Sequence, residues 1–325
     1  MPNGEFELIR KYFSFSSNSE SSVLVDNGDD AAAIVIEPDQ ALLTCVDTLV
    51  TGVHFPLDVP VDSIGHKCLA VNISDIAAMG GTPKWATLAL TIPEYDSEWL
   101  KLFSAGFFQL ADKYGIKLIG GDTTRGPLTI SVQLMGTISK EKQLLRSGAR
   151  VGDKIFVTGR LGEAAIALDS WMQKIELNDQ TPFFHNRLNY PEPQIQLGEK
   201  LLHLASSAID VSDGLASDLG HVLDKSGVGA RIYKDNIPVA RIESNIKLPK
   251  SAMDYALYGG DDYQLCFTAS PEKADEILAL SDPTRHNQNI TEIGEIIEGD
   301  KLFLVDSSGD ERLINGDGYN HFAPE

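Results

Sequence analysis

Apolar positions in the first half of the chain follow two periods. Ala31 to Ile36 and Ala41 to Val50 are apolar runs that predict buried strands, and Trp85 to Ile92 predicts a third. Leu128 to Ile138 alternates apolar and polar, as a half-exposed strand does. Between Val61 and Met79 the apolar residues Ile64, Cys68, Val71 and Ile76 fall at helical spacing, and Asn72 and Asp75, three apart, share one face. Glu98 to Tyr114 predicts a second long helix, and residues 4–13 a short one with Phe6, Ile9 and Phe13 on one side. Asn27-Gly28 signals a turn, and Ile116 to Ile119 predicts a short strand ending at Gly120-Gly121.

The pattern breaks near Gly148 to Asp153 and restarts with a strand over Lys154 to Thr158. This divides the chain into a first domain over 1–150 and a second over 151–325. In the second, 175–193 is polar, carries Pro182 and Pro191, and predicts a loop. Helices are predicted over Pro193 to Ala205 and Asp213 to Lys225, and strands over Tyr263 to Phe267 and Lys301 to Val305. The first half is thus rich in strands, with two helices of fair length.

Aspartate interrupts this pattern in a consistent way. Gly28-Asp29-Asp30, Val46-Asp47-Thr48, Ser74-Asp75-Ile76, Gly120-Gly121-Asp122-Thr123 and Ile209-Asp210-Val211-Ser212-Asp213-Gly214 each set a carboxylate against apolar or small residues. Aspartate is depleted in strands and mediocre in helices, so one such residue is usually a turn or a cap. Five segments together point to a site that collects hard cations, and magnesium, which completes its shell with substrate phosphates, points to phosphoryl chemistry.

Composition narrows the class further. A formal charge of −20 argues against nucleic acid or an anionic membrane as a partner, and no apolar run approaches the ~20 residues of a membrane span. Glu5 and Glu7 within the first apolar pattern exclude a signal peptide, and Cys45, Cys68 and Cys266 have neither disulfide nor zinc spacing. A cytoplasmic enzyme is expected. There is no GxxxxGK[ST], GxGxxG, HExxH or GxSxG, so backbone amides, scattered basic groups and metals would have to hold any nucleotide.

Six segments in order, Gly28-Asp29-Asp30-Ala31-Ala32, Asp47-Thr48-Leu49-Val50, Gly52-Val53-His54-Phe55, Asn72 to Gly80, Gly120 to Thr124 and Ser212-Asp213-Gly214-Leu215, resemble thiamine-monophosphate kinase, as does the ending Gly318-Tyr319-Asn320-His321-Phe322. That family belongs with aminoimidazole ribonucleotide synthetase, selenophosphate synthetase and a hydrogenase-maturation protein. The resemblance implies the aminoimidazole ribonucleotide synthetase-like two-domain architecture, an α/β N-terminal domain followed by an α+β C-terminal domain, a homodimer paired through N-terminal strands, and phosphorylation of thiamine monophosphate by ATP with several Mg2+ ions. It implies Asp30, Asp47, Asp75, Asp122, Asp210 and Asp213 as magnesium ligands. Asp75 would bridge ions, and Asp213 would serve the transfer itself. It implies Gly121, Asp122, Arg146 and Ser212 near ATP, and His54, Asp261 and Tyr319 at the acceptor.

Two positions depart from the family pattern. Cys45 and Val46 stand where hydroxyl residues usually supply a further magnesium oxygen, so a backbone carbonyl or water would serve there, or one ion would bind more weakly. Gly259-Gly260-Asp261-Asp262-Tyr263-Gln264 stands where the family has Gly-Gly-Glu-Asp-Tyr-Glu, which leaves Asp261 one methylene short of the acceptor. Selenophosphate synthetase would need a reactive cysteine near the N-terminus and the hydrogenase-maturation protein a C-terminal one. A non-catalytic magnesium- or nucleotide-binding module is the reading from another class.

Overall fold

A computed structural model describes residues 5–13, 21–27, 29–282, 289–316 and 318. The chain forms two compact units, residues 1–76 with 81–142, and residues 77–80 with 143–325.

The first unit contains α1 (Glu5–Tyr12), β1 (Val23–Val25), β2 (Ala33–Ile34), β3 (Gln40–Val50), α2 (Val61–Ala78, whose last two residues join the second unit), β4 (Thr82–Ile92), α3 (Ser97–Tyr114), β5 (Lys117–Arg125) and β6 (Thr129–Ser139). Four strands form one sheet in the order β3-β6-β4-β5. The β4–β5 pair is parallel, and β6 runs antiparallel to both its neighbours. Period-two alternation buries Ile130, Val132 and Leu134 of β6 on one face, while Thr44, Val46 and Gln133 face out on the other.

α2 covers the buried face. It is buried nearly all round, with Cys68, Leu69, Ala70 and Ile73 fully buried, which is the mark of a core helix. A Cβ at Gly65 would overlap the Phe103 carbonyl, and one at Gly106 would overlap the Asp62 carbonyl, so α2 and α3 cross with their backbones touching. α3 starts where Asp96 Oδ1 accepts from the amides of Glu98 (2.9 Å) and Trp99 (3.1 Å), and it ends at Gly115 with φ +67°. Phe13 packs edge-on against Phe103, which lays the start of the chain on α3.

The second unit contains β7 (Lys154–Thr158), α4 (Glu163–Trp171), α5 (Thr181–Asn189), α6 (Ile195–Leu201), β8 (Ser207–Val211), α7 (Leu215–Ser226), β9 (Gly229–Tyr233), α8 (Ala252–Tyr258), β10 (Gln264–Ala269), α9 (Ala274–Leu278), β11 (Ile290–Ile297), β12 (Leu302–Val305) and β13 (Glu311–Ile314). Its seven-stranded sheet runs β13-β12-β9-β11-β7-β10-β8, parallel at β9–β12 and antiparallel elsewhere. Leu215, Leu219 and Val222 of α7 pack on Val157, Ile209 and Ile232 on one face. Leu197, Leu201 and Ile277 pack on Phe156, Leu265 and Phe267 on the other. α4, α5 and α8 enclose a separate cluster around Phe184, Leu188 and Tyr255. Among the described residues no helix is long and apolar enough to cross a membrane.

Four sequence expectations differ from the structure, three of them for evident local reasons. The run from Ala31 to Ile36 yields only the two-residue β2, half-buried, with Val35 49% exposed, because it pairs with nothing but the three-residue β1. The strand expected to stop at Ile119 continues to Arg125, because a register shift after Ala86 and Leu118 lets β5 resume beside β4 at Gly120. The 175–193 stretch folds as a 3-10 turn followed by α5, since Pro182 occupies its first turn, where the missing amide costs nothing, and Phe184 and Leu188 face the core. The helix predicted over 193–205 is shorter, confined to α6. Tyr319 and Gly28 lie outside the described residues, as does the Phe6 side chain.

Candidate functional site

The predicted site residues fall in both units, and each group has its own local geometry. In the first unit a cavity of about 860 Å³ is lined by Asp29, Asp30, Gly120, Gly121, Asp122 and Thr123, with Arg10 and Phe13 on its α1 side. Asp29 Oδ1 accepts from the Asp30 amide at 3.0 Å, an Asx-type tie that leaves Asp30 exposed. Asn27 donates to the Leu118 carbonyl (2.9 Å) and Asp26 pairs with Lys117 (2.7 Å), so the acidic segment is anchored to the start of β5. Asp122 is exposed within β5 rather than at a strand end. Gly121 is needed for strand packing, because a Cβ there would overlap the Leu88 carbonyl. Arg10, a basic group beside these carboxylates, lies inside a helical pattern that reads only as amphipathic, and nothing in the sequence singles it out.

β3 meets α2 at Cys45, whose Sγ donates to the Asn72 carbonyl at 3.4 Å. Asp47 shares that strand face, and Asp75, half-buried, lies one helical turn beyond Asn72. Val46 points the other way and is 64% exposed. Neither the Cys45 thiol, engaged as a donor, nor the Val46 side chain suits magnesium, so these two positions have only carbonyl oxygens to give. His54 sits in the turn after β3. Its Nδ1 accepts from the Val50 amide at 3.0 Å, so the neutral ring carries its hydrogen on Nε2. Lys67, 3% exposed, donates to the His54 carbonyl at 3.2 Å.

In the second unit Arg146 is exposed on a segment fastened to the end of α7. Ser226 Oγ donates to the Arg146 carbonyl (3.3 Å) and accepts from the amides of Gly148 and Ala149 (3.2 Å each). Asp210, 4% exposed, closes β8, and Ser212 and Asp213 follow in a half-buried turn. The helix after them caps on Gly214 with no side-chain hydrogen bond, so Ser212 and Asp213 are not N-caps. Their amides both donate to Asp218 Oδ2, at 3.0 Å each. Burial pushes the Asp218 carboxyl up to about 7, helped by the charges of Asp210 and Asp213 and opposed by the Asp213 amide. Asp218 reads in sequence as an ordinary helix residue, and only the turn folding back reveals it.

The Gly259 to Gln264 loop lies against this turn. The Asp261 amide donates to the Ser212 carbonyl and the Tyr263 amide to the Val211 carbonyl, both at 2.8 Å. Asp261 and Tyr263 are both held at positive φ, +69° and +48°, an unfavourable backbone for non-glycine residues that the surrounding bonds enforce. The Tyr263 hydroxyl donates to Asp261 Oδ1 at 2.9 Å. Asp262 is 6% exposed and accepts from the Gly162 amide at 2.6 Å. Gln264 is fully buried, accepts from the Thr158 hydroxyl (2.7 Å) and donates to the Asp262 carbonyl (3.3 Å). An amide suits this position, because a carboxylate would set two acceptors face to face.

Among the described residues no three His, Cys, Asp or Glu side chains stand together as a metal-holding group. The donor set is nevertheless hard oxygen throughout, which fits magnesium bound through one or two carboxylates at a time and completed by phosphates.

Two family models of AIR synthase related proteins match the chain, the N-terminal domain over residues 28–138 and the C-terminal domain over residues 150–307. The fold is therefore the AIR synthase-like two-domain class. The thiamine-monophosphate kinase of Escherichia coli (strain K12) is 42% identical over 329 residues, 99% of each chain. That of Buchnera aphidicola subsp. Acyrthosiphon pisum is 39% identical over 321 residues, 98% of each. The crystal structure of thiamine-monophosphate kinase from Stenotrophomonas maltophilia K279a aligns with a TM-score of 0.82 at 41% identity, covering 90% of this chain and 92% of that one. AaThiL complexed with AMPPCP and TMP aligns at 0.77 and 30% identity, covering 89% of each. The chain belongs to the thiamine-monophosphate kinase family.

The buried Asp262 sets a pH dependence. Burial holds its carboxyl at about 8, well above the ordinary 3.8, with the Glu163 charge acting in the same direction and the Gly162 amide against it. A group protonated in the folded chain and ionised in the unfolded one takes up a proton on folding. Its contribution to stability therefore falls as pH rises from 3.8 to about 8 and levels off above that. Asp262→Asn should melt at a temperature that varies less with pH across this window, and Asp262→Ala should lose about 1–3 kcal/mol by orphaning the Gly162 amide. Melting curves at several pH values test both, and an Asp262→Asn profile parallel to the wild type would contradict the assignment.

Proposed function

We propose that this chain transfers the γ-phosphoryl group of ATP to the phosphate of thiamine monophosphate, giving thiamine diphosphate and ADP. The observation that supports this most is 42% identity to a thiamine-monophosphate kinase along 99% of both chains. The nucleophile needs no base. A phosphate monoester has a second pKa of ~6, so at neutral pH the acceptor is already mostly a dianion. Its oxygen attacks the γ-phosphorus in line, the bond from that phosphorus to the β-phosphate oxygen breaks, and ADP leaves with the electron pair.

The difficulty of the reaction is the meeting of two anionic groups beside an acidic protein. We assign Asp30, Asp47, Asp75, Asp122, Asp210 and Asp213, with the carbonyls of Cys45 and Val46, to holding magnesium. Bound there, magnesium offsets the phosphate charges and fixes their approach. Asp75 and Asp213 act closest to the transfer. Gly121, Asp122 and Ser212 line the ATP end, and Arg146 reaches the ATP phosphates from its Ser226-tied segment. We assign His54, Asp261 and Tyr319 to binding the thiamine monophosphate acceptor, Asp261 with its carboxylate held by the Tyr263 hydroxyl. We place the reaction in the cytoplasm, where ATP is supplied.

We also assign a homodimer joined through the first units. β3 is an edge strand, and exposed Leu42 and Val46 on its outer face call for cover.

Three measurements test this reading. Thiamine monophosphate should be phosphorylated and should stimulate ADP release, while free thiamine, whose alcohol has no evident base here, should be a poor acceptor. Equal rates with both acceptors would refute the self-activated nucleophile. Asp75→Asn should lower kcat on the order of 100-fold with the fold intact by circular dichroism, and wild-type turnover at saturating magnesium would remove Asp75 from the site. Sedimentation should give twice 35.4 kDa, and a monomer at micromolar concentration would contradict the dimer.

A further inference from the structure

The turn between β8 and α7 is tied on both sides through its backbone. On one side Asp218, 2% exposed, takes the amide hydrogens of Ser212 and Asp213 on a single oxygen, at 3.0 Å each. On the other, the Val211 and Ser212 carbonyls accept from the amides of Tyr263 and Asp261, at 2.8 Å each. The peptide groups of Val211 to Asp213 are thus largely consumed inside the unit. The side chains of Ser212 and Asp213 in this turn are both half-buried.

This reverses the usual chemistry of such a place. Amides just ahead of a helix normally form a ready anion site. Here two of them are already occupied by a carboxylate, so a phosphate cannot take them. The turn's side chains carry oxygen, the ligand type that hard cations take. Burying an acid is costly, yet this position uses one where a neutral side chain would satisfy an amide.

We propose that Asp218 is a positioning residue for phosphoryl transfer: by drawing the Ser212 and Asp213 amides inward it makes the turn face a cation with side-chain oxygens instead of an anion with N–H groups. This rests on the kinase reading above. Asp218 touches neither substrate. It acts through the backbone that aims Asp213.

The test uses Asp218→Ala, which frees both amides, and Asp218→Asn, which keeps an acceptor oxygen in place. Asp218→Ala should lower kcat about 10–100-fold and raise the magnesium concentration for half-maximal turnover, with KM for ATP and thiamine monophosphate nearly unchanged. Asp218→Asn should recover most of the loss, while Asp218→Leu, of similar size but with no acceptor oxygen, should not, which a purely space-filling role would not predict. Hydrogen exchange gives a readout independent of activity: the Ser212 and Asp213 amides should be slow in wild type and Asp218→Asn, and fast in Asp218→Ala. If Asp218→Ala does not fold, Asp218→Glu, which displaces the carboxyl by one methylene, carries the same comparison. Wild-type turnover that does not depend on thiamine monophosphate overturns the kinase reading itself. Normal wild-type turnover with an unchanged kcat in Asp218→Ala, or slow Ser212 and Asp213 amides in that variant, overturns the role of Asp218 alone.

Discussion

An acidic chain that keeps carboxylates in fixed places has few cations with which to hold them. With 47 acidic residues against 27 Lys and Arg, pairing every acid with a base is not open to this protein. Backbone N–H groups take that part. Asp218 is held by two amides, Asp262 by the Gly162 amide, and Asp96 by the amides that open α3. A peptide hydrogen fixes a carboxyl oxygen in place without calling on a cation. Asp210 and Asp213, which we assign to magnesium, sit on backbone already held by hydrogen bonds, Asp210 within the β8–β10 pair and Asp213 through its amide to Asp218.

The same economy explains the tight backbone packing of the first unit. α2 carries Asn72 and Asp75 and is buried nearly all round, so its position is set by contact on every side. Gly65 and Gly106 let α2 and α3 approach until main chain meets main chain, and Gly121 does the same between β5 and β4. A well-packed interior resists displacement, so the acids on these elements keep their directions. The strained pair Asp261 and Tyr263 shows the same principle in the second unit, where amide bonds to the 211–212 carbonyls hold a backbone that would otherwise relax.

The acidic segments, the long helices α2 and α3, the strands β3, β4, β6 and β7, and the family itself were legible in the sequence. Each depends on a run long enough for its period to show, or on several short segments in a set order. The extent of β5 was not legible, because a register shift against β4 restarts it beyond Ile119. Nor was α5, whose Pro182 reads as a loop signal until its place in the first turn is known. Cys45 shows the same limit: its thiol could be judged a poor magnesium ligand from chemistry alone, but its engagement with Asn72 appears only when β3 lies on α2.

Local order and residue type thus determined the family, the acid-rich chemistry and most helices and strands, because these follow from neighbours along the chain. Only tertiary structure decided which acids are tied down and which are presented. Asp213 and Asp218 are five residues apart and look alike in sequence. One stands half-buried in a turn and the other is buried beneath it, because α7 folds its fourth residue back onto the amides that precede it. That distinction rests on hydrogen bonds that close where the chain turns from β8 into α7, a geometry that residue type alone does not show.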